Sequence, residues 1–498
     1  MLTNKTIVLG ITGSIAAYKG ADLASKLTQA GARVEVIMTE SATRFVSPMT
    51  FRSLTSRPVV TDMFELSTEF SIEHVALAEA ADVVVIAPAT ANIVAKIAAG
   101  IADDMLTCTV LATKAPVIIA PAMHSGMWEN PVTQENVAKL KARGFVFVEP
   151  GYGRLASGSI GQGRLTEVEK IMGTINQVLG QKGDLAGKRI VVTAGGTQEA
   201  IDPVRFVGNR SSGKMGYAVA EAARDRGAKV TLITAPTALP DPAGVEMVHV
   251  ESAAQMKDAV VKATAKADAL IMAAAVADYM PKSAARGKIK KAVAGESLTL
   301  ELKRTPDILA EVKGKFIRVG FAAESEKVVE NSRRKLVGKK VDLIAANDIT
   351  APDSGFGVDT NRVTLIARKG KVENLPLMSK REVAEKILDK VVKLLASPSP
   401  VLSQDCFESM VQRSYIDAGY IHVPKTSWGS FPKVETTLEL EIDKEDTIQT
   451  GCYIGKSRGF KSKNIRQWYH AHPELKAGDK LIIKVIEPMK KYRLEIAK

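Results

Sequence analysis

The chain has 498 residues, 46% of them hydrophobic and 25% charged, so its length predicts two to four domains and its composition excludes extensive disorder. Its longest apolar runs fall far short of the roughly 20 residues of a membrane-spanning helix. The first residues enter a strand pattern without the features of an export signal, so we expect a cytoplasmic protein with no membrane partner. The net charge of +13 suits either nucleic acid or small anionic substrates.

The three cysteines, Cys108, Cys406 and Cys452, lie far apart in the chain. Their spacing fits neither a zinc site nor a disulfide framework. We therefore expect reduced thiols, with Cys108 in the core on a helical segment.

The first part of the chain alternates short β-branched runs with Ala-rich amphipathic stretches. The runs, each followed by Gly, Ser, Thr or Asn, cover residues 6–9, 34–38, 82–87 and 117–120. This order is typical of βαβ units and predicts a parallel sheet. A polar, glycine-containing break follows at residues 178–188.

The same pattern restarts at residue 189 and predicts a second domain. Its later strands are predicted at residues 230–234, 269–275, 316–321, 342–346 and 363–367, before a closing helix at residues 379–395. The two halves share a strand–glycine–helix opening but no fixed-period similarity. We therefore infer two related architectures rather than a repeat array.

Residues 396–403 include two prolines and predict a stiffened linker. The remaining chain differs in character, because residues 401–498 hold 10 of the 25 aromatic residues and contain runs that alternate apolar with polar residues. This pattern predicts a small β-rich domain. Its charge is polarised, with 4 Lys/Arg against 9 Asp/Glu in residues 401–447 and 12 against 4 in residues 448–498.

A glycine-containing turn follows the first predicted strand. Gly10, Gly13 and Ser14 lie between this strand and a helix, where backbone N–H groups and the positive helix end favour an anion. Glycines at such a turn also serve tight geometry alone, so both interpretations stay open. The polar residues Thr90, Asn92, Asp103 and Asp104 indicate a ligand crevice at the carboxyl edge of the sheet.

Six motifs of the first part, in their order along the chain, resemble the FMN-dependent cysteine decarboxylases. They lie at residues 13–15, 71–74, 88–92, 102–104, 121–123 and 153–158. The strongest resemblance is to the decarboxylase half of the bifunctional phosphopantothenoylcysteine decarboxylase/phosphopantothenate-cysteine ligases of coenzyme A biosynthesis. It implies an FMN-dependent decarboxylase domain over residues 1–180.

Flavin chemistry suits that reaction, because loss of CO2 from an ordinary sp3 carbon leaves an unstabilised carbanion unless the thiol is first oxidised to a thioaldehyde. The resemblance implies His74 as the base, and imidazole exchanges protons near neutral pH. A lone histidine is otherwise more often structural. The residues implied to bind FMN are Gly13, Ser14, Ile15, Thr39, Ser41, Thr90 and Asn92.

Two positions depart from the family pattern. His124 follows Met123 where the family often has an asparagine that binds the substrate carboxylate, and Ser157 stands where well-known members carry a proton-donating cysteine. Imidazole can replace the amide hydrogen bond, but serine is a far poorer acid than a thiol. The resemblance thus implies a substrate site at Met123, His124 and Ser157, with either another proton donor or a slow last step.

Residues 208–215 nearly match a P-loop, but Met215 stands where magnesium needs a hydroxyl, so we exclude that class of ATPase. Motifs at residues 194–197, 202–205, 209–216, 273–278, 288–291, 320–324 and 346–348 instead resemble the ligase half of the same bifunctional family. They imply a CTP-dependent ligase domain over residues 186–397. In this family the 4'-phosphopantothenate carboxylate attacks CTP to form an acyl-cytidylate, which the amine of cysteine opens.

Such a ligase needs cations for a triphosphate, oxygen ligands for Mg2+ and a donor for the acyl carbonyl. The cations implied for the triphosphate are Lys288, beside the nucleotide, and Lys335 and Lys339, on one helical face. The resemblance implies Asn209, with Arg205 nearby, at the carbonyl and Asp278 for Mg2+ or the cytidine hydroxyls. It also implies Lys290 and Phe321 as further substrate contacts. Taken alone, lysine runs are usually solvated, and residues 273–275 predict a buried strand.

Together the resemblances imply an α/β chain with two doubly wound Rossmann-like domains, flavoprotein-type and then ligase-type, and a β-rich domain over residues 404–498. The family's flavin sites lie between subunits, which implies a homo-oligomer built from trimers and dimers. Residues 455–470 interleave basic and aromatic residues, so either nucleic acid binds there or Trp468 and Tyr469 are core. The alternative function is a flavin-binding regulatory or nucleic-acid-binding protein with an impaired decarboxylase half.

Overall fold

The structure is a computed structural model. It describes residues 2–63, 73–290, 298–324, 328–339, 341–348, 357–368, 372–396, 406–424, 428, 431–432, 434–442, 446–454, 458–487 and 490–496. The chain divides into two compact units, Met1–Ala396 and Ser397–Lys498. None of the helices in these ranges has the length and apolar character needed to cross a membrane. The division of the first unit into two domains stays a prediction.

The first sheet is parallel in all six of its described strands. In spatial order these are Val59–Val60, Arg33–Met38, Thr6–Ile11, Val83–Ala89, Val117–Pro121 and Val146–Phe147. Every residue of Val83–Ala89 is buried, as expected for a strand covered on both faces. The strand order reverses beside Thr6–Ile11, which is the doubly wound arrangement and leaves a crevice at the carboxyl ends of the strands.

Helices cover both faces of this sheet because its residues alternate between two cores. Ile7 and Leu9 pack in one buried cluster and Val8 in another. The described helices are Ala17–Gln29, Glu40–Thr43, Pro48–Thr55, Glu73–Ala80, Ala91–Ala99, Met105–Ala112, Ser125–Trp128, Pro131–Ala142 and Val168–Gly180. A hairpin of Gly151–Arg154 with Ile160–Arg164 precedes the last helix.

The second sheet repeats the doubly wound order and then adds two antiparallel strands at one edge. In spatial order its described strands are Glu246–His249, Lys229–Thr234, Arg189–Ala194, Ala269–Met272, Ile317–Glu324, Leu343–Asp348, Val363–Ala367 and Glu373–Asn374. The strand predicted at residues 269–275 is too long. It ends at Met272, and the following residues form a loop in which the Ala275 N–H donates to Gly195 O at 2.8 Å.

The second half has its own helices and three short strand pairs. The helices are Lys214–Asp225, Ala253–Thr264, Ile308–Glu311, Val328–Gly338 and Lys380–Ala396. The strand pairs are Gln198–Ala200 with Phe206–Gly208, Tyr279–Pro281 with Leu302–Arg304, and Thr360–Asn361 with Met378–Ser379. The predicted break at residue 178 starts too early, because helix Val168–Gly180 continues to Gly180. There a Cβ would lie 1.9 Å from Asp225 O, so the helix end packs directly on the second half.

The second unit contains a mixed sheet of seven described strands. In spatial order they are Cys406–Met410, Lys480–Glu487, Lys491–Ile496, Thr437–Ile442, Asp446–Ile454, Arg458–Lys461 and Tyr420–Val423, with helices Arg413–Ala418 and Lys463–Ala471. This sheet confirms the predicted β-rich character. Trp468 and Tyr469 are 5% and 3% exposed, so the structure favours the core interpretation of these aromatic residues.

The polarised charge of this unit is paired across its strands. Lys480 lies 2.9 Å from Glu408, and Arg493 lies 2.7 Å from Glu441. Acidic side chains from the earlier strands therefore neutralise basic side chains from the last two. Because these pairs are partly exposed, each contributes little to stability.

Candidate active sites

The residues predicted to bind FMN follow three neighbouring strands at the carboxyl edge of the first sheet. They are, in chain order, Gly13, Ser14, Ile15, Thr39, Ser41, Thr90 and Asn92. Hydrogen bonds tie the three loops together: the Thr39 N–H donates to Ile11 O at 3.0 Å, and the Thr90 N–H donates to Thr12 Oγ1 at 3.1 Å. The structure thus brings these residues to one edge, and their contacts with FMN stay predictions.

The helix Ala17–Gln29 begins at this edge. Within the part of the chain that the structure describes, its N-terminus has no side-chain cap and no acidic residue in the first turn. A Cβ on Gly13 would lie 2.5 Å from Ser41 Cβ, so only glycine allows the two loops to approach this closely. The positive end of a helix and nearby hydroxyl groups suit the phosphate of a flavin, and the residues therefore fit that cofactor.

A cavity of about 560 Å³ opens beside the start of this helix. Its volume suits a small-molecule ligand. The predicted residues that line it are Ser14, Ile15, Met123, His124 and Ser157. The structure therefore joins the predicted flavin turn to the predicted substrate residues, although these two groups are more than 100 positions apart in the sequence.

His74 does not line this cavity. It is half-buried on helix Glu73–Ala80, which packs against helix Met105–Ala112. A single chain therefore does not place the predicted base beside the predicted substrate residues, and its catalytic role stays a prediction.

Three cations that the sequence analysis missed line the cavity: Lys19, Arg154 and Arg164. Glu167 lies 3.4 Å from Lys19 and 2.8 Å from Arg164, so one carboxylate serves two of the three cations. The remaining positive charge favours an anionic ligand. A signal was present in the sequence, since Gly-x-Gly-Arg occurs twice, ending at Arg154 and at Arg164.

The hairpin of Gly151–Arg154 with Ile160–Arg164 holds its side of the cavity by direct backbone contact. The Met123 N–H donates to Gly163 O at 2.9 Å. Gly163 has φ +146°, and a Cβ there would lie 2.3 Å from Met123 O. Both the backbone conformation and the close approach require glycine at this position.

We expect Gly163→Ala to lower the free energy of unfolding by about 3 kcal/mol, because it adds steric overlap to backbone strain. The matched control is Gly144→Ala at φ +91°, where a Cβ meets nothing within 4 Å; strain alone should cost about 1 kcal/mol there. Denaturant titration of both variants measures the difference. Equal losses would show that the hairpin does not depend on the Gly163 contact.

The carboxylates at residues 103–104 have a structural explanation. Lys96 Nζ lies 2.7 Å from Asp103 and 3.2 Å from Asp104, and Asp104 Oδ1 accepts from the Thr107 N–H at 2.8 Å as the cap of helix Met105–Ala112. Cys108, predicted as core, is only half-buried on this helix, so that prediction is wrong. Burial, together with Asp104 and Asp103, raises the pKa of its thiol and keeps the thiol protonated.

The second sheet carries a smaller cavity of about 80 Å³ at its carboxyl edge. Phe321 is the predicted residue among its lining, which includes the predicted motif residues Ala273 and Ala275. Asn209 lies two residues before the lining residue Ser211, and its Nδ2 donates to Val276 O at 3.0 Å. The amide therefore holds the loop that follows Ala275.

Asp202 is a residue that the site prediction missed. Its buried carboxylate accepts hydrogen bonds from the Val204 and Ile289 N–H groups and from Arg205 Nε. Arg205 also donates to Ile289 O at 2.7 Å. The Asp202–Arg205 pair therefore fixes the backbone between Lys288 and Lys290, the two lysines predicted to contact substrate.

Burial alone would raise the pKa of Asp202, but the Val204, Ile289 and Arg205 donors outweigh it and lower the pKa to about 2. Since the ordinary value is 3.8, this carboxylate stabilises the fold above about pH 4 and loses that contribution as the pH falls through 2.

We therefore expect Asp202→Asn to flatten the pH dependence of the urea midpoint between about pH 4 and 2. The control is Asp258→Asn, on an exposed helix face, which should leave this pH dependence unchanged. Parallel curves for all three proteins would contradict this.

Lys335 and Lys339, predicted on one helical face, straddle the end of helix Val328–Gly338. Lys339 lies one residue beyond the helix, and its Nζ is 2.9 Å from Asp307 Oδ2. The Lys339 N–H still donates to Lys335 O at 2.9 Å, so the four-residue helical spacing of the two lysines is kept at the helix end. The roles of both lysines toward phosphate stay predictions.

Asp278 is exposed at the start of the segment that pairs with Leu302–Arg304. Among the residues that the structure describes, no group of three His, Cys, Asp or Glu side chains could hold a metal ion. The role of Asp278 toward Mg2+ stays a prediction.

Two doubly wound sheets, each with a cavity at its carboxyl edge, define an α/β protein of the class that binds nucleotides or flavins. Comparison with known families agrees with this class. Residues 1–180 match the family described as "Flavoprotein", and residues 185–395 match "DNA/pantothenate metabolism flavoprotein C-terminal domain".

Curated relatives match across both halves. The coenzyme A biosynthesis bifunctional protein CoaBC of Bacillus subtilis is 48% identical over 400 residues, which cover 79% of this chain and 98% of the relative. Its counterpart in Mycobacterium tuberculosis is 48% identical over 414 residues, with the same coverage, and that of Vibrio vulnificus is 43% identical over 398 residues, covering 79% and 99%.

Solved structures match the halves separately. The C-terminal domain of a coenzyme A biosynthesis bifunctional protein CoaBC is 44% identical, covers 43% of this chain and 99% of that chain, and has a TM-score of 0.37. The FMN-dependent cysteine decarboxylase SpaF is 34% identical, covers 36% and 97%, and has a TM-score of 0.32.

The chain belongs to the family of coenzyme A biosynthesis bifunctional proteins. This confirms the predicted family, the bifunctional enzyme of coenzyme A biosynthesis and the flavin-dependent character of the first half. The match with the flavoprotein family ends at residue 180 and that with the second family at residue 395, so residues 396–498 lie outside both.

Proposed function

We propose that the second half joins cysteine to 4'-phosphopantothenate at the expense of CTP, and that the first half decarboxylates the product, 4'-phosphopantothenoylcysteine, with FMN. The observation that carries this proposal is the 48% identity over 98% of a bifunctional relative, which spans both halves of the chain. The positive cavity of the first half supports it, since the substrate is anionic.

In the decarboxylase half, a bound FMN supplies a temporary store for the two electrons of the substrate thiol, so that the thioaldehyde formed accepts the electron pair released with CO2. The N-terminus of helix Ala17–Gln29 and Ser14 hold the phosphate of the cofactor. Lys19, Arg154 and Arg164 hold the anionic groups of the substrate. His74 takes the thiol proton.

His74 reaches that thiol in our proposal from a neighbouring copy of the chain, because within one chain it lies away from the cavity. This position of His74 supports a homo-oligomer with its flavin sites between subunits. We propose that the assembly is built from trimers and that its ligase halves pair as dimers. The native mass measured with and without residues 401–498 tests this assembly. A monomer that releases CO2 would contradict it.

In the ligase half, Lys288 and Lys290 neutralise the CTP phosphates, and Asp278 binds Mg2+ or the cytidine hydroxyls. Asn209, with Arg205 nearby, donates to the acyl carbonyl as charge develops on its oxygen. The Asp202–Arg205 pair keeps this segment in place. Lys335 and Lys339 add positive charge for the triphosphate.

The proposal is tested by measuring CTP-dependent loss of cysteine and 4'-phosphopantothenate, with CO2 release followed separately. We expect consumption of both substrates with CTP and Mg2+, and CO2 release only when FMN is bound. A chain without turnover in either half would instead support the alternative function as a flavin-binding regulatory protein.

A further inference from the structure

Three polar side chains beside the first cavity are connected by hydrogen bonds and form a series. Ser157 Oγ lies 2.8 Å from Ser159 Oγ, and Ser159 Oγ lies 3.3 Å from His124 Nε2. Ser157 and His124 line the cavity, whereas Ser159 is outside the lining and connects them. The two positions that depart from the family pattern are therefore physically coupled in this chain.

The Gly126 contact fixes the direction of the hydrogen bond between His124 and Ser159. The Gly126 N–H donates to His124 Nδ1 at 3.1 Å, so Nδ1 must carry the lone pair and Nε2 the hydrogen. Nε2 then donates to Ser159 Oγ. The 2.8 Å contact between the two serine hydroxyls fits a hydrogen bond in either direction. In the direction from Ser159 to Ser157, the Ser157 hydroxyl hydrogen is left for an acceptor in the cavity.

Backbone contacts hold the three groups in register. The Leu155 N–H donates to Ser159 O at 2.8 Å and closes the turn that carries both serines. A Cβ on Gly161 would lie 2.8 Å from Ser125 Cβ, so the hairpin rests directly on the residue after His124. The donor series is therefore part of a packed hairpin and not a chance approach of two loops.

We propose that Ser159 is a positioning residue of the decarboxylase site, and that it orients the Ser157 hydroxyl as a hydrogen-bond donor to the substrate sulfur. The inference rests on the proposed decarboxylation. When the C–C bond to the carboxylate breaks, CO2 leaves, its electron pair forms a C=C bond, and the C=S pair moves onto sulfur as a thiolate. The Ser157 hydroxyl stabilises that charge.

A donor of this kind transfers no proton, so the low acidity of serine is no obstacle. The other charged groups facing the cavity are Lys19, Arg154 and Arg164, with Glu167 paired to two of them. Their net positive charge acts in the same direction as the donor series. Ser157 thus works here by electrostatic stabilisation, whereas an acidic thiol at this position would act by proton transfer.

The test compares Ser159→Ala with Ser159→Thr, which keeps the hydroxyl. We expect Ser159→Ala to lower kcat for CO2 release from 4'-phosphopantothenoylcysteine about tenfold with little change in KM, and Ser159→Thr to retain most of the activity. CTP-dependent ligation and the flavin absorbance of both variants should stay at the level of the unmodified chain, which verifies folding.

A double-mutant cycle with His124→Ala separates positioning from a merely structural role. The rates of CO2 release are compared for the two single variants and the double variant. Because either change already interrupts the series, the double variant should be no slower than the slower single variant. Full activity of Ser159→Ala, or effects that add fully, would overturn the inference. An unmodified chain that binds FMN but releases no CO2 would instead refute the proposed decarboxylation itself.

Discussion

Replacing His74 with asparagine is expected to abolish CO2 release, with a loss of at least 10²-fold to 10⁴-fold, because the amide cannot accept the thiol proton. CTP-dependent ligation should continue at its original rate, since Asn209 and its neighbours belong to a different sheet. Both activities are measured on the same preparation of the variant: decarboxylation as the release of 14C-labelled CO2, and ligation as the consumption of cysteine.

The matched control for this variant is His249→Asn. His249 is exposed at the end of strand Glu246–His249 and pairs with Asp241 at 3.3 Å. It should leave both activities intact. Equal loss of decarboxylation and ligation in His74→Asn would show that the two halves do not act as separate sites.

The reciprocal prediction concerns the ligase half. We expect Asn209→Ala to lower CTP-dependent ligation about 10²-fold to 10³-fold, the usual effect of removing one donor from a developing oxyanion. The loop that follows Ala275 also loses its hydrogen bond from Asn209 to Val276 O. Decarboxylation of supplied 4'-phosphopantothenoylcysteine should not change.

Asn464→Ala on the exposed face of helix Lys463–Ala471 is the control for this change. A ligase rate within twofold of the unmodified chain for Asn209→Ala would contradict the role given to this amide. So would a parallel fall in CO2 release.

The sheets were predictable because buried parallel strands leave continuous apolar runs in the sequence. Val363–Ala367 has the predicted bounds, and most other strands differ by one to three residues. The prediction was wrong after Met272, where three alanines continue an apolar run although the backbone has already turned toward Gly195. Small apolar residues fit both a strand and a close-packed loop, so composition cannot separate the two.

The sites were predictable only where residues follow strand ends along the chain. Ser14 and His124 lie at the same sheet edge, and parallel topology alone brings them together. Arg154 and Arg164 reach the cavity because a hairpin packs through Gly163 onto Met123. The Asp202 carboxylate accepts from the Ile289 N–H, which is 87 residues away in the sequence. Such contacts depend on tertiary packing, which no local pattern encodes.

The most direct test of the account is the absorbance spectrum of the isolated full-length protein. The carboxyl edge of the first sheet, with its uncapped helix and positive cavity, should retain FMN in amounts equimolar with the chain. The visible absorbance of the bound FMN should fall when 4'-phosphopantothenoylcysteine is added without oxygen. It should recover as product forms. A colourless protein that takes up no added FMN would contradict the account.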